Sequence, residues 1–308
     1  MGLQTLKNPW IIFLIVIASF SLTGCIFINY GTHDLLDVNN NPDYRTEKLK
    51  VLTDDSNCTF AKDVIPSISA DTTSYKVLVL TDVHFGAASY NLGGAVEKLE
   101  AYLNSLNEND TENTPAFCIA MGDFADHGYD GEYKSYNELV EKIEAKKRNN
   151  VSIKVINAVG NHDLFNSGWY CWQNYCWPNT SFYKFAINGI SYYVLDTGSG
   201  VLGDNQMALL EKAFATDSNP KIIITHYALY SKQSLCFGMR DTKERNALIK
   251  LLAENNVIGY LCGHYHSYEE LNIGSAFTMY SLSSFGEHAK YSLMTVNQSS
   301  KTISVTEY

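Results

Sequence analysis

The chain has 308 residues, 45% of them hydrophobic, which is enough for one large domain with a substantial core. Its formal net charge of −10 excludes the basic footprint of a nucleic-acid-binding protein, although an anionic small substrate stays open because bound cations reverse the local field. No stretch is low-complexity and no period of roughly 20 to 50 residues repeats, so fibrous and solenoid architectures drop out.

Lys7 is the only charge before an apolar run from Trp10 to Phe20, which leads into Leu22-Thr23-Gly24-Cys25. A charged start, a short apolar core and small residues before a cut mark a secretory signal. The Leu-Thr-Gly-Cys run resembles the bacterial lipobox, which implies a signal peptide over 1–24 and lipidation of Cys25. The competing expectation is an uncleaved helix, since residues 10–28 carry no charge and approach the ~20 residues that a span needs. In both cases the domain is expected to be exported and membrane-anchored, facing the periplasm or the cell surface. Disulfides persist in such compartments. Cys171 and Cys176 are therefore expected to be close enough for a short bridge, Cys118 and Cys262 to be buried thiols, and Cys58 and Cys236 to lie in loops with no deducible pairing.

Residues 25–74 are polar, with little periodicity before Val64-Ile65, and read as a tether ending near an edge element. The ordered pattern begins at Tyr75. A strand is expected over 76–80, a helix over 94–106, a strand over 116–121, a helix over 133–147 and a strand over 153–159. Two strands over 182–187 and 190–195 flank Asn188-Gly189, a strong hairpin signal. A helix over 204–214 and a strand over 221–225 follow. Asp241-Thr242-Lys243-Glu244 reads as a capping box for a helix to 255, and a strand over 257–262 and three short strands near Phe277, Tyr291 and Thr302 complete 75–308. Strands alternating with helices, then a late run of strands, predict an α/β fold: a two-sheet β-sandwich flanked by helices.

Asp82 and His84, Asp123, Asn161 and His162, His226, and His264 and His266 each follow an apolar run by zero to three residues. Loops after the carboxyl ends of strands gather on one edge of an α/β sheet, where ligands bind. Five loops are thus expected to bring carboxylates, an amide and imidazoles together, a donor set that suits zinc, manganese or iron better than calcium or magnesium alone. A lone histidine at a strand end is more often structural; here five of eight histidines fall in equivalent loops. His33, His127 and His288 lie outside the set and read as surface or loop residues.

The ordered set D-x-H, G-D-x-x-D, G-N-H-D, T-H and G-H-x-H resembles the calcineurin-like metallophosphoesterase superfamily over 75–308. The resemblance implies one ion on Asp82, His84, Asp123 and His266 and a second on Asp123, Asn161, His226 and His264, with Asp123 bridging and the metals drawn from manganese, iron, zinc or nickel. It implies that His162 acts on the substrate without binding metal, and that Asp163 and Asp126 orient imidazoles through hydrogen bonds. The implied reaction is attack on a small phosphomonoester or phosphodiester by a metal-bound hydroxide. No nucleophile motif such as G-x-S-x-G is present. Purple acid phosphatases carry a tyrosine where Asp126 stands and lack the early histidine, so an iron–tyrosinate site is not expected. The competing class is a non-catalytic, surface-anchored binding protein on the same fold. Trp169, Trp172 and Trp177 crowd one segment after His162, where a substrate lid and a small separate core both remain open.

The anchor is testable directly. Mass spectrometry of the mature protein should find no peptide from residues 1–24, and Cys25→Ser should release the domain from the membrane. Recovery of residues 1–24 on the mature chain would instead establish the uncleaved helix.

Overall fold

The computed structural model describes residues 41–54, 57–232 and 238–308. The signal sequence, Cys25 and Cys236 lie outside the described residues. Among the described residues no helix is long and apolar enough to cross a membrane.

Alternation along the strands decides the layers. In β2 (Ser74–Leu80) Val77 and Val79 face one apolar cluster while Leu78 and Leu80 face another, the two-residue period of a strand covered on both sides. The same split recurs in β3 (Cys118–Met121), where Ile119 and Met121 face the first cluster and Cys118 and Ala120 the second. Around β2 and β3 one sheet runs in the order β14 (Thr302–Glu307), β13 (Ser292–Asn297), β2, β3, β6 (Val155–Ala158), with β2, β3 and β6 parallel.

The second sheet runs β1 (Lys50–Val51), β7 (Tyr183–Ile187), β8 (Ile190–Val194), β9 (Lys221–Ile224), β10 (Val257–Cys262), β12 (Phe277–Ser281), β11 (Glu269–Ile273). Here β8, β9, β10 and β12 are parallel. Tyr192, Val194, Ile222, Ile224 and Leu261 join Val77, Val79 and Met121 between the sheets. Helices Leu92–Ser105 and Asp130–Glu144 cover the outside of the first sheet, and helices Asp204–Phe214 and Thr242–Glu254 cover the outside of the second. The expected two-sheet sandwich with outer helices is the observed fold. A small hairpin of β4 (Lys147–Arg148) and β5 (Val151–Ser152) stands apart.

Local chemistry explains most boundaries. Asn188 (φ +46°) and Gly189 (φ +76°) both take the left-handed conformation that closes β7 onto β8 with Ile187 opposite Ile190, as a two-residue hairpin of this hand requires. Asp241 caps its helix by accepting from the Lys243 and Glu244 amides, both at 2.8 Å. The other half of the expected capping box is not made: the Glu244 carboxylate accepts from the Leu202 and Gly203 amides at 2.8 Å and fixes the start of the neighbouring helix. Strand β11 was not expected, because it is an edge strand that opens on two glutamates, only one of which faces out.

Two expectations are corrected. Residues 41–74 are not a tether. Leu52, Phe60, Val64 and Ile68 are buried in the core between the sheets, and β1 extends the second sheet. Arg45 is buried, and its guanidinium donates to both Asp196 carboxylate oxygens at 2.8 and 2.9 Å and to Ser199 Oγ at 3.0 Å, lying 5.5 Å above the Trp169 ring. The segment looked like a linker because its few apolar residues follow no helical or strand period. Nor do Cys171 and Cys176 form a bridge: both are buried free thiols. Cys171 lies on helix Gly168–Tyr175 and Cys176 is its C-cap, five positions on and outside the three- and four-residue spacings that bring helix side chains together. Cys118 and Cys262 are buried thiols as expected, and Cys58 is a half-buried one.

Removing one partner of a buried ion pair strands the other charge, at a cost of about 3–5 kcal/mol. Arg45→Ala should therefore lower unfolding free energy by about that amount in urea titration. A loss within error of zero would mean that the 41–74 segment does not stabilise the sandwich.

Candidate metal centre

Five loops reach one edge: Asp82 and His84 after β2, Asp123 after β3, Asn161 and His162 after β6, His226 after β9, and His264 and His266 after β10. Asp82, His84, Asp123, His264 and His266 all have positive φ, between 52° and 65°. That conformation costs an L-residue roughly 1–2 kcal/mol, and strain of this kind clusters at functional sites. Cross-loop hydrogen bonds hold it. The His84 amide donates to the Asp123 carbonyl at 2.8 Å, the Asp82 amide to the Gly122 carbonyl at 3.1 Å, and the His264 amide to both Asp82 carboxylate oxygens at 3.1 and 3.0 Å. Gly160 is required where it stands, because a Cβ there would lie 2.2 Å from Asp123 Oδ1.

The side chains converge in three groups whose ligand-type atoms lie within 4.8 Å of one another: Asp82, His84 and His266; His84, Asp123 and His162; Asp123, His226 and His264. The Asp123 carboxylate faces two of the outer imidazoles at once, with Oδ2 3.2 Å from His226 Nε2 and 3.6 Å from His84 Nε2. Asn161 Oδ1 lies 3.2 Å from His226 Nε2. Three imidazoles are anchored from outside through Nδ1: His84 to Asp126 Oδ1 at 3.0 Å, His226 to the Met121 carbonyl at 2.8 Å and His266 to Glu287 Oε2 at 2.7 Å. Each anchor turns Nε2 inward, and the Nε2 atoms of His84 and His266 stand 3.2 Å apart. Unprotonated nitrogens do not face each other at that range without a cation or proton between them. The donor set fits divalent metal ions.

The electrostatics point the same way. Burial works to raise the Asp82 carboxyl, and His266 and His226 overcome it, lowering it to about 2. Asp123 is likewise held well below its ordinary value, against burial, by His226 and His162. Their partners move oppositely: burial works to lower His226 and His266, but Asp123 raises the first to about 9 and Asp82 the second to about 10. Burial and the His226 charge push His264 down to about 3, leaving a neutral imidazole stacked 3.9 Å from the Tyr227 ring. Two buried carboxylates thus demand positive charge, which protons on imidazoles or bound cations supply, so cation binding here releases protons.

Asp126 contacts an imidazole through its carboxylate, and its carbonyl accepts from His162 Nδ1 at 2.7 Å. Asp163 does something else. Fully buried, it accepts from the Asp123, Gly160 and Phe124 amides at 2.8, 2.9 and 2.9 Å and from the Tyr133 hydroxyl at 3.1 Å. It orients backbone rather than imidazole, because the turn after Asn161 points its carboxylate inward beneath the β3 loop; burial and nearby Asp123 raise it to about 6. The tryptophans are core and not a lid. Trp169 and Trp172 stack at 5.3 Å on the inner face of helix Gly168–Tyr175 and are buried under the first sheet, and Trp177 packs against the core between the sheets. Glu287, Tyr227 and the Met121 carbonyl were not foreseen. Glu287 reaches His266 only because Ser284 clips its short helix to the β2 loop, donating to the Asp82 carbonyl at 2.8 Å, and no sequence spacing encodes that contact.

Loss of an outer partner of a metal-binding imidazole typically costs ~10–100-fold in metal affinity. Asp126→Ala should weaken manganese or zinc binding by about that factor in calorimetric titration while leaving the melting curve cooperative. Unchanged affinity would show that His84 needs no anchor.

The calcineurin-like phosphoesterase family model matches residues 75–268. No curated protein matches the sequence. Among solved structures, a dimetal phosphatase from Danio rerio superposes with a TM-score of 0.56 at 10% identity, covering 75% of this chain and 98% of that one. The purple acid phosphatase PPD1 from yellow lupin gives 0.54 at 13% identity, covering 78% of this chain and 54% of its own. GAP50, the anchor in the inner membrane complex of Plasmodium, gives 0.54 at 12% identity, covering 77% and 84%. At such identities the superpositions establish the fold alone, and the match of the family model over most of the chain carries the assignment: this chain belongs to the calcineurin-like phosphoesterase family.

Proposed function

We propose that the chain hydrolyses a small phosphoester with two metal ions held between Asp82, His84, Asp123 and His266 on one side and Asp123, Asn161, His226 and His264 on the other. One observation carries this reading: the Asp123 carboxylate faces both His226 and His84 across a cluster of inward-turned Nε2 atoms. Ions bound there would polarise the phosphoryl oxygens and acidify a water for in-line attack.

The protein's own groups do the rest. Asp123 is locked on both sides, with Oδ1 accepting the His162 amide at 2.8 Å and its own amide donating to Asp163. His162 donates through Nδ1 to the Asp126 carbonyl, and its ring is flanked by His84 at 4.6 Å and Phe165 at 4.7 Å. Held by Nδ1 and about a quarter exposed (23%), His162 would offer a proton on Nε2 to the leaving oxygen.

A panel of p-nitrophenyl phosphate, bis-p-nitrophenyl phosphate, cyclic AMP and a nucleotide, each with manganese, iron, zinc or nickel, separates monoesterase from diesterase. Asp123→Asn should abolish turnover and leave fewer than two metals per folded chain. His162→Ala should keep both metals and lose ~10²–10⁴ in turnover, less with a good leaving group such as p-nitrophenol. Metal loss in the His162 variant would overturn its role, and two metals with full activity in the Asp123 variant would overturn the bridge.

A further inference from the structure

We propose that His127 and Tyr129 form a stacking subsite for a planar heteroaromatic group carried on the leaving-group side of the substrate. The proposal rests on the hydrolase reading above and extends it to a substrate class. The two rings lie parallel, 10° between planes with centroids 5.6 Å apart. Both are about half exposed, at 51% and 53%. An exposed ring pair is ordinarily free to swing, but here the His127 ring and the backbone on both sides of Gly128 are held. Glu132, itself nearly buried, accepts from the His127 amide at 2.9 Å, pairs with His127 Nδ1 at 2.9 Å and accepts from the Tyr129 amide at 3.0 Å. Glu132 is wedged in turn against the β2 loop, where a Cβ on Gly86 would come 2.0 Å from its Oε1. Asn166 Nδ2 donates to the His127 carbonyl at 2.7 Å and ties the pair to the loop after His162.

Tyr129 is the N-cap of helix Asp130–Glu144, where Glu132 closes a capping box by accepting the Tyr129 amide; that cap uses the Tyr129 backbone and leaves its ring half exposed. His127 contributes nothing to the apolar core. With its Nδ1–H given to Glu132, its Nε2 is left to meet a polar edge of a stacked ring.

The placement fixes which part of the substrate the pair meets. His162, which faces the leaving oxygen, is bonded to the carbonyl of Asp126, the residue that precedes His127. His127 Nδ1 lies 3.4 Å from one oxygen of the Asp126 carboxylate, whose other oxygen holds His84 at 3.0 Å, so the pair borders the cluster without entering it. A ring stacked there would be joined to phosphorus through a spacer such as a sugar, not esterified directly. Faces of flat bases stack on aromatic side chains regardless of base identity.

The experiment compares AMP with ribose 5-phosphate, which lacks the purine. Both are tested on the metal-loaded enzyme as inhibitors of whichever p-nitrophenyl ester the panel finds to be hydrolysed, and by saturation-transfer NMR of AMP. AMP should bind ~5–100-fold more tightly than ribose 5-phosphate, with saturation reaching its purine protons. Tyr129→Ala, with an unchanged melting temperature, should bring the ratio close to one and remove the purine signal, and Tyr129→Phe should restore both. Equal affinities in the parent enzyme, or a ratio that survives Tyr129→Ala, would overturn the subsite while leaving the hydrolase reading standing. A parent enzyme that hydrolyses no p-nitrophenyl ester with any metal, yet shows a Tyr129-dependent purine signal with AMP, would overturn the hydrolase reading and keep the subsite.

Discussion

Two carboxylates buried at the seam between the sheets set the terms for everything around them. Asp82 and Asp123 are each essentially inaccessible to water, and an ionised carboxylate in that position is tolerated only when charge and hydrogen bonds compensate it. Much of the compensation comes from the opposite sheet. His226 meets Asp123, and His264 and His266 meet Asp82, so neither sheet completes the site alone. The same contacts fix how the sheets approach: His226 bonds back to the Met121 carbonyl of the first sheet, and Ser284, after β12, bonds to the Asp82 carbonyl.

That arrangement costs local strain, and the strain has a purpose. Five of the residues that line the cluster sit in left-handed backbone conformations. The left-handed turn at Asp82 and again at His84 brings two side chains of one short loop into the cluster, and Gly122 and Gly160 leave room for the β3 and β6 loops to lie against each other. Asp163 closes that contact by gathering amides from both loops onto one carboxylate. It plays the part of a cap for a turn that no helix or strand would hold.

Much of this was legible in the sequence, and the reason is geometric. In a parallel sheet the end of an apolar run predicts the edge at which the next side chains emerge, so the order of strands gave both the sandwich and the gathering of Asp82, His84, Asp123, Asn161, His226, His264 and His266. Anchors reached across the fold were not legible. Glu287 meets His266 through packing of a four-residue helix, and Arg45 meets Asp196 across 151 positions. The Asp163 carboxylate was visible, but its partners were not, because a carboxylate next to a metal-type motif can turn toward imidazole or backbone and only the path of the chain decides.

The aromatic residues carry the same lesson in reverse. Abundance drew attention to Trp169, Trp172 and Trp177, yet abundance of large apolar rings beside a sheet is what a core needs. Trp169 and Trp172, three positions apart on one helix, share its inward face and stack there. His127 and Tyr129 form no such apolar face: they flank Gly128, which turns with φ +75° and packs against the Phe165 carbonyl. A histidine and a tyrosine on either side of a glycine give no periodic signal. The turn at Gly128 nonetheless sets their rings parallel and outward, next to the residue that holds His162. Burial therefore separates the two aromatic groups where composition could not: the indoles stabilise the sheet that carries the site, and the His127–Tyr129 pair stays half exposed beside it.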